Sequence, residues 1–409
     1  MAKQLNWVQI RIVALCMSIN MLDGFDILAM AYAAPAVADQ WRLDPEQLGI
    51  LFSLGLGGMM AGSIFIGPMA DRFGRRPVII GCLVGAIAAM TLAGFSADLT
   101  MLAIARLLTG FAIGGTLPTI NTMVAEYATP RSRTISVSLT QAGFPIGASL
   151  GGFLAVWLLG AFGWQSVFWA GALISAILLP IILLWMPESA AFARSGRPEM
   201  RAGSEPAAQG TPVERTRQFE SLLEFRAALA VLTLSFGLAM MGFYFLTSWL
   251  PKILVDVGMA EGDAVFAGSL LTSGGIFAAL GLGWLAMNRA LVKLIAAVAA
   301  LAAILTFLVG QIAESGQILF LAAFVLGVMV NAVLIGLYAA VPGMFPVNVR
   351  GSGTGLAIGL GRGGAVLAPW LAGVLIAQGW VPSELFALMA LPYVGVAILV
   401  LILGRWQRY

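Results

Sequence analysis

Gly67-Pro68-Met69-Ala70-Asp71-Arg72-Phe73-Gly74-Arg75-Arg76 closes one apolar run, residues 47–70, and leads into the next, residues 77–97. Three arginines and an aspartate within six residues do not lie in hydrocarbon, so the stretch reads as a surface turn between two membrane-crossing segments. Gly74 supplies the tight turn. Asp71 can pair with an arginine or cap a neighbouring helix end in one conformation only, and a contact made in one state biases a two-state equilibrium. Asp71, Arg72, Arg75 and Arg76 are therefore read as a gate latch, against the plainer reading of a basic loop that only sets topology.

The flanks extend this reading to the whole chain. Hydrophobic residues make up 60% of the 409 positions and charged residues 10%, against roughly 45–50% and about 25% in soluble domains. A hydrocarbon core about 30 Å thick takes around 20 apolar residues per helix. Runs long enough occur near 10–34, 47–70, 77–97, 100–124, 135–159, 164–186, 227–250, 264–287, 291–312, 316–341, 352–377 and 385–404. They are continuous rather than alternating, which excludes an outer-membrane barrel. The first run is too long for a signal-peptide core and holds acids where a cleavage site would fall, so it is expected to remain. The fold class is an all-α membrane protein with twelve transmembrane helices.

Basic residues fix the expected orientation. Lys3, Arg11, Arg72, Arg75, Arg76, Arg131, Arg133, the arginines from Arg194 to Arg226, Arg289, Lys293, Arg350, Arg405 and Arg408 fall on one side of the alternating spans. The other side holds Arg42 and Lys252. This asymmetry predicts two cytoplasmic termini in a multi-pass protein of a bacterial inner membrane. Residues 187–226, rich in Pro, Gly, Ser, Glu and Arg, read as a cytoplasmic linker between a half at 1–186 and a half at 227–409. At an offset of 217 residues Asp71 pairs with Asn288, Arg72 with Arg289, Arg76 with Lys293, Arg133 with Arg350 and Gly147 with Gly364. Two six-helix parallel repeats place a substrate site between them, near the midplane.

The 67–76 loop resembles the signature of the major facilitator superfamily. Other motifs resemble its aromatic acid:proton symporter family, the 4-hydroxybenzoate and benzoate type: Asp23-Gly24-Phe25-Asp26, Arg106 to Gly110, Gly114 to Pro118, Glu126-Tyr127, Gly143 to Gly147, Phe245 to Pro251 and Gly361-Arg362-Gly363. The likeness covers nearly the whole chain. It implies import of an aromatic carboxylate such as benzoate or hydroxybenzoate with protons, by a monomeric carrier that alternates access.

The residues themselves indicate an anion and a proton. Asp23 and Asp26 share a helix face about 18–22 Å from Arg11, near the midplane. Carboxylates there are costly and mark a functional path, and two so close do not both ionise easily. With no histidine in the chain, a carboxylate must carry the proton. Asp23, Asp26 and Arg106 are the expected proton-coupling set, and Asp26 also shapes the substrate site; the rival reading is a fixed salt bridge. Arg106 lies about 12 Å below Asp98 and Arg362 about 18 Å above Arg350, so both reach mid-bilayer from opposite halves. Arg362, flanked by glycines, is the expected carboxylate ligand, since a guanidinium fork bonds a carboxylate bidentately; exchanged roles for the two arginines stay open. Two aspartates and two arginines balance, so a monoanion arriving with a proton adds no net charge.

For a ring substrate, Tyr32, Phe144, Tyr244, Trp249, Asn331 and Tyr338 offer walls and hydrogen bonds, with Tyr32 and Trp249 equally readable as interface anchors. Gln141 bonds substrate or bridges helices. Glu126, Arg131, Arg133, Arg289 and Arg350 join the gate network. The two cysteines, Cys16 and Cys82, fall inside spans and read as packing. No metal or cofactor is expected: there is no Walker loop or His/Cys cluster, and Gly359 to Gly364 lies inside a lipid-length helix rather than after a strand. An enzyme and a nucleic-acid partner are not expected either. The rivals are a carrier of the same fold for a dicarboxylate or sugar acid, a membrane-embedded enzyme, and a non-transporting membrane sensor.

Overall fold

The computed structural model describes residues 7–129, 132–189, 225–286, 291–312, 317–345 and 350–404. Most of the 187–226 linker lies outside them. The described helices are α1 (Trp7–Trp41), α2 (Pro45–Phe65), the short α3 (Met69–Phe73), α4 (Arg75–Gly94), α5 (Leu99–Tyr127), α6 (Arg133–Phe162) and α7 (Gln165–Trp185). They continue with α8 (Arg226–Asp256), α9 (Glu261–Ala286), α10 (Leu291–Gln311), α11 (Gln317–Ala340), α12 (Arg350–Ala377) and α13 (Pro382–Leu403). Twelve are long and apolar enough to span a membrane, α3 being the exception.

Hydropathy marks the hydrocarbon-embedded part of a helix, and several helices run past it. The run at 10–34 lies within the 35 residues of α1, about 52 Å of helix against a hydrocarbon core of about 30 Å. The run at 47–70 divides, because α2 stops at Phe65 and Pro68, without an N–H, precedes α3. Gly74 follows at φ 101°, a conformation that suits glycine, and α4 starts at the next residue. The opposite end carries strong start signals. Asp44 accepts from Gln47 N at 2.8 Å while Gln47 Oε1 accepts from Asp44 N at 3.1 Å, with Pro45 at the first helical position. Asp98 caps α5 through Met101 N at 2.8 Å.

The packing repeats with a six-span shift. In the first half α1 lies along α6, α2 along α5, and α4 along both α5 and α7; in the second α8 lies along α12, α9 along α11, and α10 along both α11 and α13. Each pairing in one half has its counterpart in the other. The glycines matched at that offset make like contacts. A Cβ built on Gly147 would come 1.9 Å from Met21 O in α1, and one on its repeat mate Gly364 would come 1.9 Å from Gly237 O in α8. Both joints need a bare Cα to bring the helices together. Leu184, Leu321 and Phe65 are 79%, 67% and 66% exposed on the outside, as suits a lipid-facing surface.

The halves meet where α2 crosses α12, α6 crosses α9, and α1 lies against α8 and α9. Ser53 Oγ donates to Val366 O at 2.7 Å, and Ser149 Oγ and Thr272 Oγ1 are 3.2 Å apart. A Cβ on Gly49 would lie 2.7 Å from Pro369 O, and one on Gly373 would lie 2.4 Å from Pro45 O. These contacts lie in the part of the bundle remote from the chain termini.

Candidate functional site

Asp23 and Asp26 bracket Gly24, the midpoint of α1, and are 6% and 1% exposed. Gly24 packs on Phe144 O of α6, where a Cβ would come within 2.2 Å. That joint presses the aspartate turn into the bundle. Asp23 is within electrostatic range of Asp26 and of Cys82 in α4. Arg106, 4% exposed in α5, donates from Nη1 to Asp26 O at 3.0 Å and from Nη2 to Ile27 O at 3.4 Å. Its guanidinium also stands 6.0 Å from the Phe168 ring centroid. Asp23 Oδ2, Asp26 Oδ1 and Arg106 Nε are buried with no hydrogen-bond partner among the described residues. Arg106 therefore touches the backbone of the acidic turn, and among the described residues it forms no ion pair with either carboxylate, against the rival reading of a fixed salt bridge. Beside it, a small recess between α1, α2 and α5 is bounded by Gly55, Gly110 and, from the other half, Ser248.

A second group lies in the other half. Arg362 on α12 is half-buried, without a hydrogen bond or ion pair to any described residue, and both Tyr244 of α8 and Tyr338 of α11 are in range of its charge. Tyr338 is 38% exposed, and its ring lies 5.1 Å from Phe236. Asn331, two turns along α11 from Tyr338, donates to Gly327 O at 2.8 Å. Among the described residues no hydrogen bond or ion pair joins Arg362 to the aspartates.

Two aromatic candidates belong to the crossings between helices. Trp249 is buried, donates to Pro369 O at 2.9 Å and meets Phe52 edge-on at 5.4 Å. Tyr32 is buried and donates to Ala148 O at 2.8 Å, beside Ser269 and Thr272. Phe144 is half-buried, whereas Gln141 is exposed and takes a 3.4 Å bond from Asn20 Nδ2.

Of the gate residues, Arg75 Nη2 pairs with Glu126 Oε1 at 3.0 Å, and Arg76 Nη2 donates to Leu183 O at 2.6 Å. Arg72 is exposed. The side chains of Asp71, Arg133 and Arg350, and all of Arg131 and Arg289, lie outside the described residues.

Residues 14–316 match the Major Facilitator Superfamily. The chain belongs to the major facilitator superfamily. It is 32% identical over 415 residues to the 4-hydroxybenzoate transporter PcaK of Pseudomonas putida, covering 95% of this chain and 92% of that one. With the gallate transporter of the same species it shares 30% identity over 410 residues, covering 96% and 91%. Its fold matches the crystal structure of a D-xylose-proton symporter with a TM-score of 0.75 at 16% identity, covering 96% and 97%. These relatives place it in the aromatic acid transporter family, as a multi-pass membrane transporter and not an enzyme.

The transporter also uses residues that sequence reading passed over. Glu188 Oε1 accepts from Arg75 N, Arg76 N and Ser189 N at 2.9, 3.3 and 2.7 Å, closing the start of α4 with the segment after α7. Tyr127 Oη donates to Glu188 O at 2.6 Å, and Ser189 Oγ donates to Glu126. An acid just after a helix-ending proline, with a basic loop elsewhere to receive it, was the available signal. Asn20 donates to Thr140 O at 2.7 Å and holds α1 on α6. Its position one turn before Asp23 was the only hint.

Proposed function

We propose that this transporter imports a small aromatic carboxylate together with protons by alternating access, and that the arrangement described here is its inward-facing state. The Asp26 carboxylate carries the reading. It is buried at the middle of α1 with Oδ1 unpaired, and an ionised carboxylate so placed costs several kcal/mol, about the amount that a bound proton or a compensating charge removes. Asp23 and Asp26 are the proton-coupling acids, and Arg106 is the fixed positive charge beside them. Two acids and the two arginines Arg106 and Arg362 sum to zero, so one substrate anion with one proton leaves the interior neutral. If only the empty or the fully loaded carrier closes cheaply, the proton gradient drives accumulation.

Arg362 is the proposed carboxylate ligand, with Tyr244, Tyr338, Asn331, Phe144 and Gln141 along the ring's path. The relatives named for 4-hydroxybenzoate and gallate support a ring carboxylate as substrate. The basic residues support a cytoplasmic location for the end that carries the termini. Tyr32 and Trp249 then belong to the outer closure that must part to admit substrate. Arg75, Arg76, Glu126 and the basic loop serve the inner gate, and residues 187–226 connect the halves. The carrier acts as a monomer in a bacterial inner membrane.

The test uses the purified protein in liposomes with radiolabelled 4-hydroxybenzoate. An inward proton gradient should concentrate the label, and a protonophore should abolish the accumulation. Equal uptake with and without the gradient would remove the symport reading, and no uptake at all would remove transport of this substrate.

A further inference from the structure

Asn20 is fully buried on α1, one turn before Asp23. Its Nδ2 donates to Thr140 O at 2.7 Å, with Gln141 O at 3.5 Å and Gln141 Oε1 at 3.4 Å. Pro145 has no N–H, so α6 leaves the Gln141 carbonyl without its usual helical donor, and the Asn20 amide stands in. Two main-chain oxygens thus fix which way the amide lies, since turning it over would set Oδ1 against them. Gly143 keeps the joint tight: a Cβ there would come 3.2 Å from Asn20 Cβ. Oδ1 is left buried, and among the described residues no donor reaches it.

Asp23 Oδ2 is in the same condition. Residues three apart on a helix are neighbours, with Cβ atoms about 5–6 Å apart, so two oxygens that lack a donor belong to adjoining side chains. Two acceptors cannot satisfy each other. A carboxyl that takes up a proton becomes a donor, and then they can. We propose that Asn20 is the positioning residue for the coupling proton, its Oδ1 accepting the O–H of protonated Asp23. One proton then satisfies two buried oxygens, whereas ionised Asp23 leaves both without a partner. Because α6 anchors the amide, arrival of the proton is tied to the α1–α6 joint. The other titratable groups around Asp23 are Asp26 on α1, Cys82 on α4 and Arg106 on α5. Those remaining on the helices packed against α1 lie at helix ends, apart from Tyr244 of α8, which is in range of Arg362. This inference rests on the proposed proton coupling.

The experiment is binding of radiolabelled 4-hydroxybenzoate to the purified full-length protein across a pH series, in wild type, Asn20→Leu and Asn20→Ser. An anion binds best to the protonated carrier, so binding should fade as pH rises. Without its acceptor the proton is held about tenfold less tightly, and in Asn20→Leu the midpoint should fall by about one pH unit. Asn20→Ser, whose hydroxyl still accepts, should stay near the wild-type midpoint. Weaker binding at every pH with the midpoint unmoved would mean that Asn20 only braces α1 on α6, which overturns the proposal. If Asn20→Leu does not fold, Asp23→Asn and Asp23→Leu decide the matter, because both lose the charge and only the amide can donate to Asn20. Asp23→Asn should then melt at the higher temperature, and equal or reversed midpoints overturn the proposal. A wild-type profile that is flat in pH overturns the proton coupling itself.

Discussion

Arg106 Nη1 donates to the main-chain oxygen of Asp26 at 3.0 Å, and the carboxylate of the same residue keeps an unpaired Oδ1. The guanidinium is thus held by groups that never titrate. Its charge stays in place whether Asp26 is protonated or not, so the acid can exchange a proton without breaking the bond that locates the arginine. A direct ion pair would have tied the two events together.

Asp26→Asn removes the titrating group and leaves the Arg106 bond to the backbone intact. The variant should fold and bind substrate, and it should exchange labelled for unlabelled substrate across liposomes. Accumulation driven by an inward proton gradient should be abolished. Proton-driven accumulation at the wild-type level would take Asp26 out of the coupling role.

Arg362→Lys keeps the charge and loses the fork. A lysine ammonium makes a point contact where the guanidinium offers two parallel bonds. One charge-assisted hydrogen bond is worth about 1.5–3 kcal/mol, so binding should weaken by about 10- to 150-fold. Calorimetric titration with 4-hydroxybenzoate measures this directly. An unchanged affinity would move the carboxylate to Arg106, which lines the small recess between α1, α2 and α5.

The helix count and the repeat were legible because lipid imposes a coarse code of length and hydropathy, and the family because motifs such as Gly67 to Arg76 resemble its signature. Gly147 and Gly364 were matched by spacing alone, and both prove to be joints where a helix backbone presses on a bare Cα. The candidate site was legible as residue types and depths, since an acid or arginine in mid-span is conspicuous. What each side chain touches was not. Arg106 could be expected to seek a carboxylate, and only the packing of α5 against α1 directs it to backbone carbonyls. Trp249 and Tyr32 read equally well as walls or anchors, and their bonds to Pro369 O and Ala148 O depend on helix crossings that no local pattern encodes. Glu188 escaped notice because the helix start it closes, at Arg75 and Arg76, is more than a hundred residues earlier in the chain.

The outer closure gives a conformational prediction. Ser149 and Thr272 oxygens are 3.2 Å apart across the two halves, and such a pair is within reach of disulfide geometry when both become cysteine. In a background with Cys16 and Cys82 replaced by Ser, Ser149→Cys with Thr272→Cys should cross-link under mild oxidant. Transport should stop, and a reductant should restore it. Full uptake by the cross-linked protein would show that this contact need not open.

At the other end the first half is braced by Glu188. One carboxylate oxygen closes three backbone N–H groups, two of them at the start of α4, where helix amides have no partner of their own and the dipole favours an anion. Glu188→Ala should cost about 1–2 kcal/mol, the range for loss of an N-terminal cap, and lower the thermal midpoint of the detergent-solubilised protein, followed by tryptophan fluorescence. Glu188→Gln should recover much of the loss, since an amide oxygen still accepts. Glu126→Gln disturbs the same cluster through Arg75 and Ser189, so the double variant Glu188→Ala with Glu126→Gln should lose less than the sum of the two single losses. Strict additivity would mean that the two acids act independently, and an unchanged midpoint in Glu188→Ala would mean that the bonds at the start of α4 contribute nothing net to stability.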